Sequence, residues 1–259
     1  GPCLVDTCFT ITEPTPIVPN ESHTDVTCNG LCNGTGTVAP TGGIPPYSYA
    51  WSSGTTPANA TTGGLCAGTF TVTITDAVLC TETASVTVTQ PAPIVLSTSK
   101  TDMSCNGVCD GTATVSVTSG GTPPFTYLWC DGQTTATATA LCDGACGVTV
   151  TDANGCTSTG SVTINEPAAM TASITSQTNP LCFGNCNGTA TVTASGGTTP
   201  YSYSWCLGQT TQSVNNLCDG ACGVTVTDDN GCTATSSVTL TQPPLLTAAI
   251  TGQTNPTCF

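Results

Sequence analysis

A repeated pattern of about 76 residues is the feature that most constrains how this chain can fold. Cys80, Cys156 and Cys232 follow one another at 76-residue intervals. The motif TCNGLCNGTGTV at Thr27–Val38 returns as SCNGVCDGTATV and again as LCFGNCNGTATV. Repetition at a fixed period indicates similar structural units in tandem. We therefore predict three repeats: repeat 1 at residues 15–91, repeat 2 at 92–167 and repeat 3 at 168–243.

Two partial copies flank the three repeats. Residues 1–14 align with the end of repeat 1, and we interpret them as the orphan last strand of an incomplete repeat. Residues 244–259 align with the start of repeat 3 and are interpreted as the orphan first strand of a further repeat. An unpaired strand tends to acquire a partner strand. The two segments predict head-to-tail assembly of identical subunits by strand addition, unless they are boundaries inside a longer array.

Each repeat has the sequence pattern of short β-strands. Val and Ile alternate with Thr in segments such as 71–75 and 86–89, which places the apolar residues on one face. Tyr47, Tyr49 and Trp51 alternate in the same way, and such an aromatic ridge usually anchors a core between two sheets. We expect no amphipathic helix. The fold class is therefore all-β, a tandem of sandwich domains, and the short proline-containing connections favour stacking as a rod.

Cysteine content and charge limit where the protein works and what it binds. The chain has 19 Cys in 259 residues, a proportion typical of oxidised, extracellular proteins. One Lys or Arg stands against 15 Asp and Glu, and the net charge of −14 disfavours nucleic acid and anionic membranes as partners. The sequence contains no run of 18 apolar residues, so we expect no membrane insertion.

Three sequence features together resemble the SprB repeat family. They are the Cys-Asn-Gly start of a repeat, GGTPPFTYLW at Gly120–Trp129, and VTVTDANGCTSTGSVTINEP at Val148–Pro167. SprB repeats occur in large bacterial surface adhesins, including those of gliding Bacteroidetes. The resemblance covers almost the whole chain. It implies immunoglobulin-like β-sandwich domains in a secreted, surface-exposed protein, and no catalytic residues.

The cysteine pairing can be predicted in part by comparing the repeats. Repeats 2 and 3 each have two cysteines where repeat 1 has Ser52 and Phe70, which predicts the disulfides Cys130–Cys146 and Cys206–Cys222. In an immunoglobulin-like strand order, Cys32 begins the second strand and Cys66 follows the fifth. This order favours Cys32–Cys66, Cys109–Cys142 and Cys186–Cys218. The remaining pairs would be Cys28–Cys80, Cys105–Cys156 and Cys182–Cys232, or these first and last cysteines would instead connect adjacent repeats.

Three cysteines, Cys3, Cys8 and Cys258, lie outside the complete repeats. We expect Cys258 of one subunit to bond Cys3 or Cys8 of the next, which would imitate a first-to-last pair within a repeat. The total of 19 is odd, so one cysteine must be free, be bonded across a two-fold axis, or pair beyond this sequence.

Dense hydroxyl residues on a surface with few charges suggest covalent glycans. The candidate acceptors are Asn20, Asn33, Asn59 and Asn187 in N-x-S/T sequons and the threonine pairs Thr55-Thr56, Thr134-Thr135 and Thr210-Thr211. The alternative is that Thr is present simply because it suits β-strands.

Metal binding and catalysis receive little support from the sequence. The C-x3-C spacing is not one of the usual zinc spacings, and the single histidine, His23, stands alone. Asp76, Asp152 and Asp228 recur in hairpin loops, with Asp229 beside the last, but one or two carboxylates are too few for calcium and favour turn stabilisation. We expect no metal, no cofactor and no enzymatic activity.

These observations predict a structural subunit of an extracellular filament or surface fibre. Its partners would be identical copies, its cross-links disulfides and its surface partly covered by glycans. The alternative is the stalk or the ligand-binding region of a bacterial cell-surface adhesin.

Overall fold

The computed structural model describes residues 12–255, and every strand named below lies in that range. Repeat 1 contains β1 (Glu21–Thr24), β2 (Gly34–Val38), β3 (Ser48–Trp51), β4 (Thr61–Leu65), β5 (Gly68–Thr75) and β6 (Thr81–Val88). Repeat 2 contains β7 (Val95–Thr101), β8 (Gly111–Ser119), β9 (Thr126–Trp129), β10 (Thr137–Leu141), β11 (Gly144–Thr151) and β12 (Thr157–Ile164). Repeat 3 contains β13 (Thr171–Thr178), β14 (Gly188–Ser195), β15 (Ser202–Trp205), β16 (Ser213–Leu217), β17 (Gly220–Thr227) and β18 (Thr233–Leu240).

The six strands of each repeat form two three-stranded sheets. In repeat 1 the strand orders are β1-β2-β4 and β3-β5-β6, and both sheets are antiparallel. The orders β7-β8-β10 with β9-β11-β12, and β13-β14-β16 with β15-β17-β18, repeat this arrangement. These orders correspond to strands A-B-E and C-F-G of a constant-type immunoglobulin domain that lacks strand D. The predicted all-β tandem of immunoglobulin-like domains is therefore confirmed.

The core of a repeat lies between its two sheets. In repeat 1, Val38 from β2 packs in one cluster with Trp51 from β3 and with Val72 and Ile74 from β5. The two β5 residues are fully buried, as the Val/Ile alternation predicts. Gly36 lies directly against the indole, because a Cβ added there would be 2.8 Å from Trp51 Cη2. Repeat 3 builds the corresponding cluster around Trp205.

Contacts divide the chain into two compact units, each considered by itself. The first comprises residues 12–98, Val115–Ala136 and Gly147–Ser161. The second comprises Ser99–Thr114, Thr137–Cys146 and residues 162–255. Each unit therefore combines one terminal repeat with part of repeat 2, and the boundaries of the units do not follow those of the predicted repeats. Rod-like stacking stays a prediction.

The segment after β18 does not form the predicted strand. Residues 241–255 carry no regular secondary structure, and Leu245, Leu246 and Ile250 are exposed. Ile174, the counterpart of Ile250 in repeat 3, belongs to β13, which pairs with β14 of the same repeat. Residues 241–255 take part in no strand ladder among the described residues.

Candidate functional site

Two recurring loops carry the first and the last cysteine of each repeat. The cysteine loops are Thr27–Cys32, Ser104–Cys109 and Leu181–Cys186. The aspartate turns connect the last two strands of each repeat and are Asp76–Cys80, Asp152–Cys156 and Asp228–Cys232.

Each cysteine loop is held beside the end of its own repeat. The Gly30 N–H donates to Gln90 Oε1 at 2.9 Å, and Asn29 Nδ2 donates to the Pro91 carbonyl at 3.1 Å. Gly30 has a φ of 78°, a left-handed conformation that favours glycine. Equivalent bonds run from Gly107 to Glu166 and from Gly184 to Gln242. Cys28 therefore lies where repeat 1 ends and repeat 2 begins.

A buried carboxylate organises each aspartate turn. Asp152 Oδ1 accepts the N–H groups of Asn154 (2.9 Å) and Cys156 (2.8 Å), and Oδ2 accepts the N–H of Thr122 (2.9 Å). Burial acts to raise the pKa of Asp152, but the backbone hydrogen bonds outweigh it and the pKa is lowered overall. Asp76 and Asp228 have the same contacts and lowered pKa values. These carboxylates stabilise turns and place the cysteine that follows.

The first and last cysteines connect neighbouring repeats, which corrects the favoured prediction. Cys28 bonds Cys156, with Cα atoms 5.4 Å apart, and Cys105 bonds Cys232, with Cα atoms 5.7 Å apart. The in-repeat pairs Cys28–Cys80, Cys105–Cys156 and Cys182–Cys232 are therefore wrong. The rival prediction, in which these cysteines connect adjacent repeats, describes both bonds.

Strand length explains why the in-repeat pair cannot form. Cys80 directly precedes β6, whereas Cys28 neighbours the segment that follows β6, because the Val26 N–H donates to the Thr89 carbonyl. The eight residues of β6 span about 27 Å at roughly 3.4 Å per residue. A disulfide requires Cα atoms within about 7 Å. The aspartate turn of a repeat therefore reaches the preceding repeat rather than its own cysteine loop.

The junction contains polar contacts beside the disulfide. In the second compact unit, Asn230 Nδ2 donates to the Ser104 carbonyl at 3.1 Å. Cys232 Sγ lies 3.3 Å from the same oxygen, and Cys156 Sγ lies 3.3 Å from the Thr27 carbonyl. The aspartate turn of repeat 3 therefore contacts the cysteine loop of repeat 2 through Asn230 as well as through its sulfur.

The other disulfides lie within single repeats and agree with the predicted pairing. They are Cys32–Cys66, Cys109–Cys142, Cys186–Cys218 and Cys206–Cys222. Cys130 and Cys146 are also disulfide-bonded. The first three connect the start of the second strand with the end of the strand beside it.

Two described cysteines are free and exposed, Cys80 and Cys182. Cys80 ends the aspartate turn of repeat 1, and Cys182 belongs to the cysteine loop of repeat 3. The predicted intersubunit cysteines Cys3, Cys8 and Cys258 lie outside the described residues. Their expected pairing imitated an in-repeat bond that the described repeats do not contain.

The ten predicted glycan acceptors are all exposed. Some also have structural contacts: Asn20 Nδ2 donates to the Ala39 carbonyl, and Asn33 Nδ2 donates to Thr27 Oγ1. Threonine hydroxyls pair across strands, as in Thr24–Thr35 at 2.8 Å and Thr178–Thr189 at 2.7 Å. Cross-strand pairs of this kind contribute roughly 0.2–1 kcal/mol each. Part of the threonine content therefore serves the sheets themselves.

Other candidate residues form no concentrated site. His23 is exposed, and its Nε2 atom lies 3.7 Å from Asp25 Oδ1. Residues 12–255 contain no group of three His, Cys, Asp or Glu side chains arranged to hold a metal ion. The same residues contain no helix with the length and apolar character to cross a membrane.

The fold and the junctions define a disulfide-rich tandem of small immunoglobulin-like domains. The SprB repeat family model matches residues 20–56, 97–134 and 174–210, one stretch in each repeat. The predicted resemblance to the SprB repeat family is therefore confirmed in all three repeats. Such repeats make this a surface-adhesin-type repeat region, and the many disulfides fit an extracellular location. No curated protein sequence is significantly similar to the chain.

Several solved structures share a general similarity with the chain. A C-terminal fragment of intimin, in complex with the intimin-binding domain of its receptor Tir, is 18% identical with a TM-score of 0.32; the match covers 57% of this chain and 64% of that one. The eight N-terminal Ig domains of Down syndrome cell adhesion molecule are 10% identical with a TM-score of 0.27, covering 91% and 39%. SGBP-B of the Bacteroides ovatus mixed-linkage glucan utilization locus, in complex with a mixed-linkage heptasaccharide, is 12% identical with a TM-score of 0.18, covering 85% and 65%. This chain thus spans less than two thirds of each of these proteins.

Proposed function

We propose that this chain is a structural, force-bearing segment of an extracellular filament or surface fibre. The observation that carries the proposal is the inter-repeat disulfide. At each described junction the polypeptide linker and one disulfide connect the same two repeats in parallel. A pulling force that unfolds a repeat therefore leaves its neighbours covalently joined through a much shorter path.

The partners in this fibre are identical copies joined head to tail, and the chain has no catalytic role. The contact is heterologous, because a cysteine loop at one end meets an aspartate turn at the other, and such contacts do not close into a dimer. Residues 244–259 of one copy and 1–14 of the next would add their strands to each other. Residues 243–255 are exposed and carry no regular secondary structure, which supports this part of the proposal.

A glycan coat completes the proposal. The surface has few charges to maintain solubility, and all ten candidate Asn and Thr acceptors are exposed. Intact mass spectrometry of native material tests this part. A mass well above 25.7 kDa, reduced by chemical deglycosylation, is expected; an intact mass equal to 25.7 kDa refutes the glycan coat.

Negative-stain electron microscopy of native material tests the fibre itself. Unbranched filaments with an axial repeat set by one chain are expected. A reducing agent should shorten them, whereas an equal concentration of its oxidised form should not. Single particles that stay monomeric at every concentration refute the fibre and favour the alternative, in which the chain is a stalk or ligand-binding region within one adhesin molecule.

A further inference from the structure

The two free cysteines occupy the same two positions that are bonded at the internal junctions. Cys80 corresponds to Cys156 and Cys232, and Cys182 corresponds to Cys28 and Cys105. The bond always runs from the cysteine loop of one repeat to the aspartate turn of the following repeat. Cys182 and Cys80 are therefore the two complementary halves of one such junction, and both are exposed.

The surface around Cys80 corresponds to one half of an internal junction. At the junction of repeats 1 and 2, a groove is lined by Ala92–Ile94 and Cys156–Ser158 of the following repeat, and by Cys28, Asn29, Leu31 and Pro91 of the preceding one. A second groove is lined by Pro14 and by the equivalent residues of repeat 1, Thr15–Ile17 and Cys80–Glu82. Its lining includes no residue of any cysteine loop.

The surfaces around the two free cysteines are more apolar than the corresponding surfaces at the internal junctions. Where the internal turns have Asn-Gly before the cysteine, repeat 1 has Val78 and Leu79, which are 53% and 81% exposed. Where the internal cysteine loops have Thr27 or Ser104 and Asn29 or Asn106, repeat 3 has Leu181 and Phe183, which are 77% and 51% exposed. Positions 155 and 29 line the same internal groove, so Leu79 and Phe183 would meet if the two surfaces combined. Exposed apolar side chains at corresponding positions favour contact with each other over contact with water.

The backbone conformation at Leu79 also supports an apolar contact at this surface. Leu79 has a φ of 69°, and the glycines at its position in repeats 2 and 3, Gly155 and Gly231, have φ values of 82° and 86°. The left-handed conformation is unfavourable for a branched side chain. Repeat 1 therefore keeps a strained conformation and directs a leucine into solvent next to the free thiol.

We propose that Cys182 of one copy forms a disulfide with Cys80 of a second copy, so that the cysteine loop of repeat 3 docks in the groove of repeat 1. This inference rests on the proposed head-to-tail fibre and names its covalent contact. It replaces the bond from Cys258 to Cys3 or Cys8, because it brings two complete repeats together as at the internal junctions.

The bond needs an oxidant, and a small-molecule disulfide such as oxidised glutathione suffices. The Cys80 thiolate attacks the glutathione disulfide, forms a mixed disulfide and releases one glutathione thiolate. The Cys182 thiolate of the second copy then attacks the Cys80 sulfur and releases the second. Two protein thiols become one disulfide, the oxidised glutathione gains two electrons, and the two protons pass to the released glutathione thiolates.

Two complementary variants of the full chain, Cys80→Ser and Cys182→Ser, test the proposal. Each variant alone, incubated with oxidised glutathione, should stay monomeric on a non-reducing denaturing gel, whereas the unmutated chain should form a ladder. An equimolar mixture of the two should stop at a dimer, because the first supplies only Cys182 and the second only Cys80. Peptide mapping of the dimer should identify the Cys80–Cys182 cross-link.

Three outcomes overturn the proposal. The first is that either variant alone forms as much dimer as the mixture does, and the second is that the mixture stays monomeric. The third is a cross-link mapped to Cys3, Cys8 or Cys258. A third variant, Val78→Asn/Leu79→Gly, restores the internal turn sequence and should slow ladder formation severalfold; an unchanged rate overturns the apolar contact. Filaments seen by microscopy without a Cys80–Cys182 bond would reject this inference and leave the fibre intact.

Discussion

Single-molecule stretching gives a direct measure of the inter-repeat disulfides. When the chain is fully unfolded in its oxidised state, the taut path between Cys28 and Cys232 is the shortest covalent route. That route crosses from Cys28 to Cys156, follows fourteen residues back to Cys142, crosses to Cys109, follows four residues to Cys105, and crosses to Cys232. Eighteen residues at about 3.5 Å each and three disulfides give about 80 Å.

The reduced chain has a far longer path between the same two residues. All 204 peptide steps from Cys28 to Cys232 then extend, which gives about 700 Å at roughly 3.5 Å per residue. Atomic force microscopy or optical tweezers, pulling on handles at the two ends of the chain, measures the contour length before and after reduction. We expect the reduced chain to be longer by at least 600 Å in this segment alone.

The same measurement separates the two pairing schemes. If each repeat instead bonded its own first and last cysteines, the oxidised path would follow the residues between Cys80 and Cys105 and between Cys156 and Cys182. Those 51 residues and three disulfides extend to about 200 Å. An oxidised path near 200 Å rather than 80 Å would therefore refute the inter-repeat junctions, even if the reduced length is as expected.

Three further predictions concern stability. Trp205→Ala should lower the free energy of unfolding of repeat 3 by about 3–5 kcal/mol, because Trp205 is buried in the core and its indole N–H donates to the Thr211 carbonyl. Leu207→Ala removes an exposed side chain and should change the free energy of unfolding little. Equal effects of the two substitutions in urea unfolding would contradict the core assignment. The lowered pKa of Asp152 means that its ionised carboxylate stabilises the folded state above the ordinary carboxyl pKa of 3.8, and that this stabilisation is lost as the pH falls below that value. The melting temperature should therefore fall in acid, and it should fall less steeply in Asp152→Asn than in the exposed control Asp143→Asn. Parallel acid profiles of the two variants would contradict the role of Asp152. Disulfides that close longer loops restrict the unfolded chain more. Removing Cys206–Cys222, with a sequence separation of 16, should therefore lower the free energy of unfolding by about 3 kcal/mol, and removing Cys28–Cys156, with a separation of 128, by about 4–5 kcal/mol. Calorimetry that gave the reverse order would exclude loop entropy as the cause.

The sequence predicts the parts of the fold that depend on local periodicity. Val72 and Ile74 alternate with threonine and are fully buried in β5, and the aromatic strand places Trp51 against Gly36. The pairing of Cys32 with Cys66 also follows from strand order, since these residues flank neighbouring strands. Such features need only the pattern of one repeat.

The junctions are harder to predict because every repeat contains both members of the pair. Comparing copies therefore cannot tell a bond within one repeat from a bond between two. The deciding signal is the distance along β6, since Cys80 precedes it and Cys28 lies beside its far end. The alternation at residues 86–89 marks only the end of β6, and the position of the cysteine loop depends on tertiary hydrogen bonds such as Gly30 to Gln90.

A bond between the cysteine loop of one repeat and the aspartate turn of the next leaves one thiol of each kind unpaired in any uninterrupted run of repeats. Three repeats contain six such cysteines and two junctions, which leaves Cys182 and Cys80. A longer run would still leave two, one on each kind of surface. Because the two surfaces differ in sequence, joining them gives every added copy the same orientation. The pairing rule within the chain thus supplies the polarity that a growing fibre requires.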